Sequence, residues 1–107
     1  MNKYLHLTSL EMETMRVLII HGKTYGLSIM HFLNKGREKH KIPEVGYGSF
    51  YPVLKKLERE KLIESVPQET NKKRKDYILT GLGERTYEAN SDYRHWLFNN
   101  NSGQILV

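Results

Sequence analysis

Apolar residues recur at helical spacing near the start of the chain. Leu10, Met12, Met15, Val17, Leu18 and Ile19 supply one face and Gly22 closes it, which predicts a helix over 9–21. Thr8 and Ser9 are both capable of capping it, and Glu11, three residues after Thr8, completes a capping box. Thr24 is a candidate cap for a second helix over 25–39, in which Leu27, Ile29 or Met30, Phe32 and Leu33 recur until Gly36 and the basic stretch Arg37 to Lys41 weaken the pattern. The segment Ile42 to Gly48 contains a proline and two glycines and reads as a reorienting turn. Ser49 then stands as the N-cap of a third helix over 50–60, with Pro52 in its first turn and Phe50, Leu54 and Leu57 as an i, i+4, i+7 stripe.

Beyond this helix the period changes. Leu62 to Val66 and Asp76 to Leu79 are short β-prone runs around the polar stretch Pro67 to Lys75, and predict a two-stranded hairpin with a basic tip. Thr80 is placed to cap a last helix over 81–98, where Leu82, Thr86, Ala89, Tyr93, Trp96 and Leu97 fall at spacings of three and four. The tail 99–107 is low in helix propensity and is expected to fray, with an apolar end able to dock on a partner chain.

At 107 residues the chain has the size of one folding domain, and 38% hydrophobic residues are enough for a core. The element order divides the chain into residues 1–79 and a last helix with its tail, 80–107. The longest apolar run, Val17 to Ile20, is four residues against the roughly 20 of a membrane span. With no signal-like stretch at the start, a cytoplasmic protein without a membrane partner is expected. The absence of cysteine excludes disulfides, thiolate metal sites and cysteine nucleophiles.

The net charge of +5 favours a polyanionic partner, and it is concentrated: residues 35–75 hold twelve bases against six acids. Helix, helix, loop, helix, strand, basic turn, strand, helix is the order of a winged helix-turn-helix, mainly α with a small β-hairpin. Its third helix enters the DNA major groove and its hairpin tip reaches along the backbone. At 100° per residue the third helix sets Phe50, Leu54 and Leu57 on one side and Ser49, Lys55, Lys56 and Arg59 on or near the other. Lys and Arg neutralise phosphates or donate to guanine, and Ser49 with first-turn N–H groups is suited to a phosphate. Tyr51, at the border, either donates its hydroxyl to a phosphate or packs against helix two. Lys72, Lys73, Arg74 and Lys75 are the wing candidates for minor-groove or flanking phosphate contacts; a solvated loop is the plainer reading.

The run Gly48-Ser49-Phe50-Tyr51-Pro52-Val53-Leu54-Lys55-Lys56-Leu57-Glu58-Arg59-Glu60-Lys61-Leu62-Ile63, followed by Arg74-Lys75-Asp76-Tyr77-Ile78-Leu79-Thr80-Gly81-Leu82-Gly83, resembles the PadR family of bacterial transcriptional regulators. Tyr25-Gly26-Leu27 also fits the family's Tyr-Gly-hydrophobic signature, and the resemblance spans about residues 7–97. It implies a dimeric winged-helix repressor, with DNA contacts from helix three and the wing and dimerisation through the C-terminal helix aided by the N-terminal one. Two departures stand out. Lys61 replaces the glycine usual in the Glu-x-Gly-Leu-Ile segment, the residue best suited to φ > 0 at a helix end. The single short C-terminal helix resembles the short-tailed members, so sensing of phenolic acids does not carry over.

Five dispersed histidines, His6, His21, His31, His40 and His95, lack metal-ligand spacing, and His40 reads as a DNA-proximal surface residue. No nucleophile set and no phosphate loop is recognisable, so neither an enzyme nor a cofactor is expected. Tyr87, Tyr93, Trp96 and Phe98 crowd the last helix; with Leu82 and Leu97 they form either a dimer seam or packing against helix one, and the seam is favoured because one small core cannot cover them all. The expected function is sequence-specific binding of a pseudo-palindromic operator by a homodimeric repressor. A winged-helix module for protein or RNA interaction, and a regulator gated by a small aromatic effector near Trp96, are the competing readings.

Overall fold

The Thr8 hydroxyl accepts the Glu11 N–H and the Glu11 carboxylate accepts the Thr8 N–H, so the capping box forms and starts α1, Ser9–His21. The computed structural model describes residues 3–99. Gly22, at φ 71° and ψ −143°, ends α1 in a conformation nearly closed to other residues. α2 spans Gly26–Lys39, α3 Tyr47–Arg59 and α4 Gly81–Asn99; β1 is Thr24–Tyr25, β2 Ile63–Pro67 and β3 Lys75–Leu79. The strands make one antiparallel sheet in the order β1-β3-β2, with Ser65 opposite Tyr77 and Tyr77 opposite Thr24.

The expected helices and hairpin are all present, with three differences of detail. Thr24 does not cap α2: it sits in β1, its hydroxyl donates to the Gly22 carbonyl, and Tyr25 occupies the cap position without a side-chain bond. β1 itself escapes a local reading because two residues become a strand only by pairing with β3. α3 begins three residues earlier than expected, with Gly46 as its N-cap, so Ser49 lies inside the first turn and Pro52 deeper in the helix. The early start is enforced from outside α3. The Asn34 amide brackets Val45, donating to its carbonyl at 2.8 Å and accepting its N–H at 2.7 Å. Arg37 grips Glu13 through two nitrogens and also donates to the Pro43 carbonyl. With both ends of the turn fixed, Tyr47 and Gly48 are drawn into the helix.

The stripe Phe50, Leu54, Leu57 is fully buried, each side chain worth about 1.5–3 kcal/mol, against Met15, Val17, Leu18, Ile29, Leu62 and Ile63. α2 and α3 both end in Schellman motifs with a lysine in the left-handed position. Lys41 has φ 59° and Lys61 φ 62°; the N–H of Ile42 reaches the Arg37 carbonyl, and that of Leu62 the Leu57 carbonyl. Beside Lys61, the Thr80 hydroxyl accepts the Gly83 N–H and caps α4. Gly83 lies so close to the Leu62 carbonyl that an added Cβ would overlap the oxygen. No side chain larger than hydrogen fits there without separating α4 from β2.

Candidate nucleic-acid interface

Burial of its apolar stripe fixes which side α3 shows to solvent. Lys55 and Arg59 are exposed and have no carboxylate partner among the described residues, and Ser49 is exposed in the first turn. Lys56 behaves differently. Its ammonium lies 2.9 Å from Oε2 of Glu11, a carboxylate only 2% exposed, so this lysine, expected on the outer face, is turned toward α1. Burial pushes the Glu11 pKa up, but the Thr8 N–H and the Lys56 ammonium outweigh it and hold the carboxyl below its ordinary value.

Tyr51 is partly buried and packs against the core. Its ring stacks on that of Tyr47 at 5.4 Å with the planes 3° apart, and meets Phe50 edge-on. Burial, with Tyr25 and Tyr47 nearby, raises the Tyr51 pKa, so its hydroxyl stays protonated and available as a donor. Tyr47 is 53% exposed and is not singled out by the sequence pattern, because the segment Ile42–Gly48 reads as a turn. Once α3 starts at Tyr47, the i, i+4 spacing to Tyr51 accounts for the pair.

The wing comes to the same side. Lys72, Lys73, Arg74 and Lys75 are exposed; the first three lie in the turn and Lys75 opens β3, opposite Pro67. The turn is shaped by Asn71, which accepts the Lys73 N–H on its side chain and the Arg74 N–H on its carbonyl, while Gln68 donates to Asp76 across its base. The Arg74 guanidinium sits 4.9 Å over the Tyr25 ring. Tyr25, Tyr51, Lys73, Arg74, Lys75 and Tyr77 line a single cleft of about 180 Å³. Tyr51 of α3, Tyr25 of β1 and the wing are thereby brought together around one cationic and hydroxyl-bearing cleft. Such a grouping suits a ridged polyanion, offering point charges for phosphates and donors toward base edges.

His40 is exposed, with Nδ1 2.8 Å from the Gly36 carbonyl at the end of α2. No cluster of three metal-ligating side chains occurs among the described residues. Nor is any helix among them long and apolar enough to cross a membrane.

On α4 the buried stripe is Gly83, Thr86 and Asn90, while Tyr87 packs against the core of its own chain. Leu82, Tyr93, Trp96, Leu97 and Phe98 are exposed, Trp96 at 57% and Phe98 at 75%. Tyr93 and Trp96 stack on one another at 6.1 Å. Asn90 carries a role that the apolar pattern did not reveal: it binds the backbone of Leu5 and Leu7 ahead of α1. The tail expected to reach a partner falls, from residue 100 on, outside the described residues.

The family model described as the transcriptional regulator PadR-like family matches residues 15–89. No curated protein matches the sequence. Among solved structures, RosR of H. salinarum is 28% identical, with a TM-score of 0.61 over 90% of this chain and 78% of that one. A transcriptional regulator from Clostridium thermocellum is 18% identical with a TM-score of 0.73, covering 94% of this chain and 99% of that one. YusO from Bacillus subtilis superposes with a TM-score of 0.70 at 16% identity, over 94% of this chain and 64% of that one.

Proposed function

Because the chain belongs to the transcriptional regulator PadR-like family, and is a DNA-binding winged-helix regulator rather than an enzyme, we propose that it acts in the cytoplasm as a homodimeric repressor of a pseudo-palindromic operator. One α3 enters the major groove of each half-site. Lys55 and Arg59 approach the bases, Ser49 and Tyr51 hold phosphates, and Lys72, Lys73, Arg74 and Lys75 follow the backbone or the minor groove. Lys56 supports this surface from behind through Glu11. The observation that carries the reading is the cleft shared by Tyr51 of α3 with Lys73, Arg74 and Lys75 of the wing, which supports one ligand for both elements.

Two copies joined along α4 account for Leu82, Tyr93, Trp96 and Leu97, an apolar surface otherwise left to solvent on a small chain, with Tyr87 at its inner edge. Tyr93 and Trp96 are the expected anchors, because large rigid aromatics dominate interface energetics.

The test is selection of fragments from genomic DNA with the purified protein, followed by footprinting of the winner and gel shifts. Lys55→Ala with Arg59→Ala is expected to abolish preference for the selected fragment and leave the dimer intact. Lys73→Ala with Arg74→Ala is expected to weaken binding to all sequences alike. Equal retention of selected and unrelated duplexes by the wild type favours a protein- or RNA-interaction module instead.

A further inference from the structure

Residues 3–8 have no regular secondary structure, so their backbone polar groups need partners elsewhere. They find them on α4. The Leu7 N–H donates to Asn90 Oδ1 at 2.8 Å, Asn90 Nδ2 donates to the Leu5 and Thr86 carbonyls, and Arg94 donates to the Leu7 carbonyl at 2.7 Å. One residue on, the Thr8 N–H donates to Glu11 Oε1, and Glu11 Oε2 holds the Lys56 ammonium of α3. Leu7, Glu11 and Asn90 are all buried, and no buried side-chain polar atom among the described residues lacks a partner. A polar chain thus runs from α4 through the segment Leu5–Glu11 to Lys56 in the last turn of α3, by a route separate from the sheet. Fully satisfied buried networks of this kind hold one arrangement, and removing a member leaves a buried charge or amide unpaired.

We propose that the segment Leu5–Glu11, clamped by Asn90 and Arg94 at one end and by the Glu11–Lys56 pair at the other, is a strut that fixes α3 relative to α4 and so sets the half-site spacing the dimer accepts. The proposal rests on the reading above, in which α3 enters the groove and α4 joins the protomers. Glu11 and Asn90 are then positioning residues: they touch no DNA, yet the angle they hold decides whether two recognition helices meet two half-sites together.

The experiment uses the full chain and a selected operator rebuilt with its half-sites moved apart or together by one and two base pairs. Wild type is expected to lose about tenfold in affinity per shifted base pair, in the range usual for a mismatched contact. In Glu11→Gln and Asn90→Ala that penalty shrinks to about threefold or less, with binding to an isolated half-site unchanged. The double variant goes no further than the stronger single one, as expected of members of one network. Lys56→Arg, which keeps the pair, retains wild-type discrimination. If Asn90→Ala melts below the assay temperature, Arg94→Met and Lys56→Met cut the same chain at its two ends and carry the same expectation. Variants that lose affinity equally at every spacing, or whose effects simply add, overturn the strut. A wild type that binds unrelated duplex as tightly as the operator overturns the proposed function instead.

Discussion

Lys61 occupies the left-handed position that closes α3, at φ 62°, with its N–H on the Glu58 carbonyl at 3.0 Å and the next N–H on the Leu57 carbonyl at 2.9 Å. Both bonds require the left-handed turn, so the residue cannot relax into an ordinary conformation without losing them. A side chain there costs about 1–2 kcal/mol in contact between Cβ and the carbonyl oxygen. Glycine removes that strain but gives the unfolded chain more freedom, worth about 0.4–1 kcal/mol against it. Lys61→Gly is therefore expected to stabilise the fold by about 0.5–1 kcal/mol, or about 4 °C in Tm for a chain of this length. Losing the ammonium at a helix C-terminus costs a few tenths of a kcal/mol and blurs that number. Lys61→Ala removes the same charge and keeps the Cβ, which makes it the proper reference. The assay is urea unfolding of the wild type and of the Lys61→Gly and Lys61→Ala variants, followed by far-UV circular dichroism. Expected is a higher midpoint for Lys61→Gly than for Lys61→Ala at equal m, corresponding to an unfolding free energy greater by about 1 kcal/mol. Midpoints that coincide, or a Lys61→Ala midpoint above that of Lys61→Gly, would refute the assignment of strain to this residue.

Other expectations follow from the same geometry. Gly83→Ala places a Cβ on the Leu62 carbonyl, where backbone rather than a flexible side chain must yield; a loss of about 3 kcal/mol by urea melting is expected. The Glu11 pKa is lowered in the fold, so its contribution is present above the unfolded value of about 4.5 and fades as pH falls through the folded one. Stability measured from pH 7 down to pH 3 should therefore decline less steeply in Glu11→Gln than in wild type, and parallel curves would contradict the paired carboxylate. Trp96→Ala is expected to shift the protein toward monomer in sedimentation equilibrium without changing its helix content; an unchanged association constant would remove Trp96 from the seam.

Much of this architecture is written locally. Thr8 with Glu11 and Thr80 with Gly83 announce two helix starts, and Phe50, Leu54 and Leu57 declare the buried side of α3. The features that were not legible depend on partners far along the chain. Glycines around Tyr47 suggest a turn, and only Asn34 and Arg37 turn that stretch into the first turn of α3. Lys56 lies near the outward side by helical projection, yet a carboxylate delivered by α1 draws it in. α4 misleads the apolar pattern most: its packed stripe of Gly83, Thr86 and Asn90 is small or polar, Gly83 lying against the Leu62 carbonyl and Asn90 binding the backbone of Leu5 and Leu7. The conspicuous Leu82, Tyr93, Trp96 and Leu97 are the ones left outside. Lys61 is readable as an anomaly, a lysine where the family usually has glycine, and its positive φ gives that anomaly a physical meaning.

The central claim, that the outer side of α3 and the wing together bind duplex DNA by sequence, is tested most directly by titrating a selected fragment and an unrelated duplex at several salt concentrations. With about eight phosphates neutralised by a dimer, log affinity for the selected fragment should fall against log salt with a slope near −7, and between about −5 and −4 in Lys73→Ala with Arg74→Ala, two bases lost from each wing lowering the count by roughly two to four contacts. At physiological salt the selected fragment should bind at least about a thousandfold more tightly than the unrelated one. Equal affinities for the two duplexes, or a slope that the wing substitutions leave unchanged, would contradict the account.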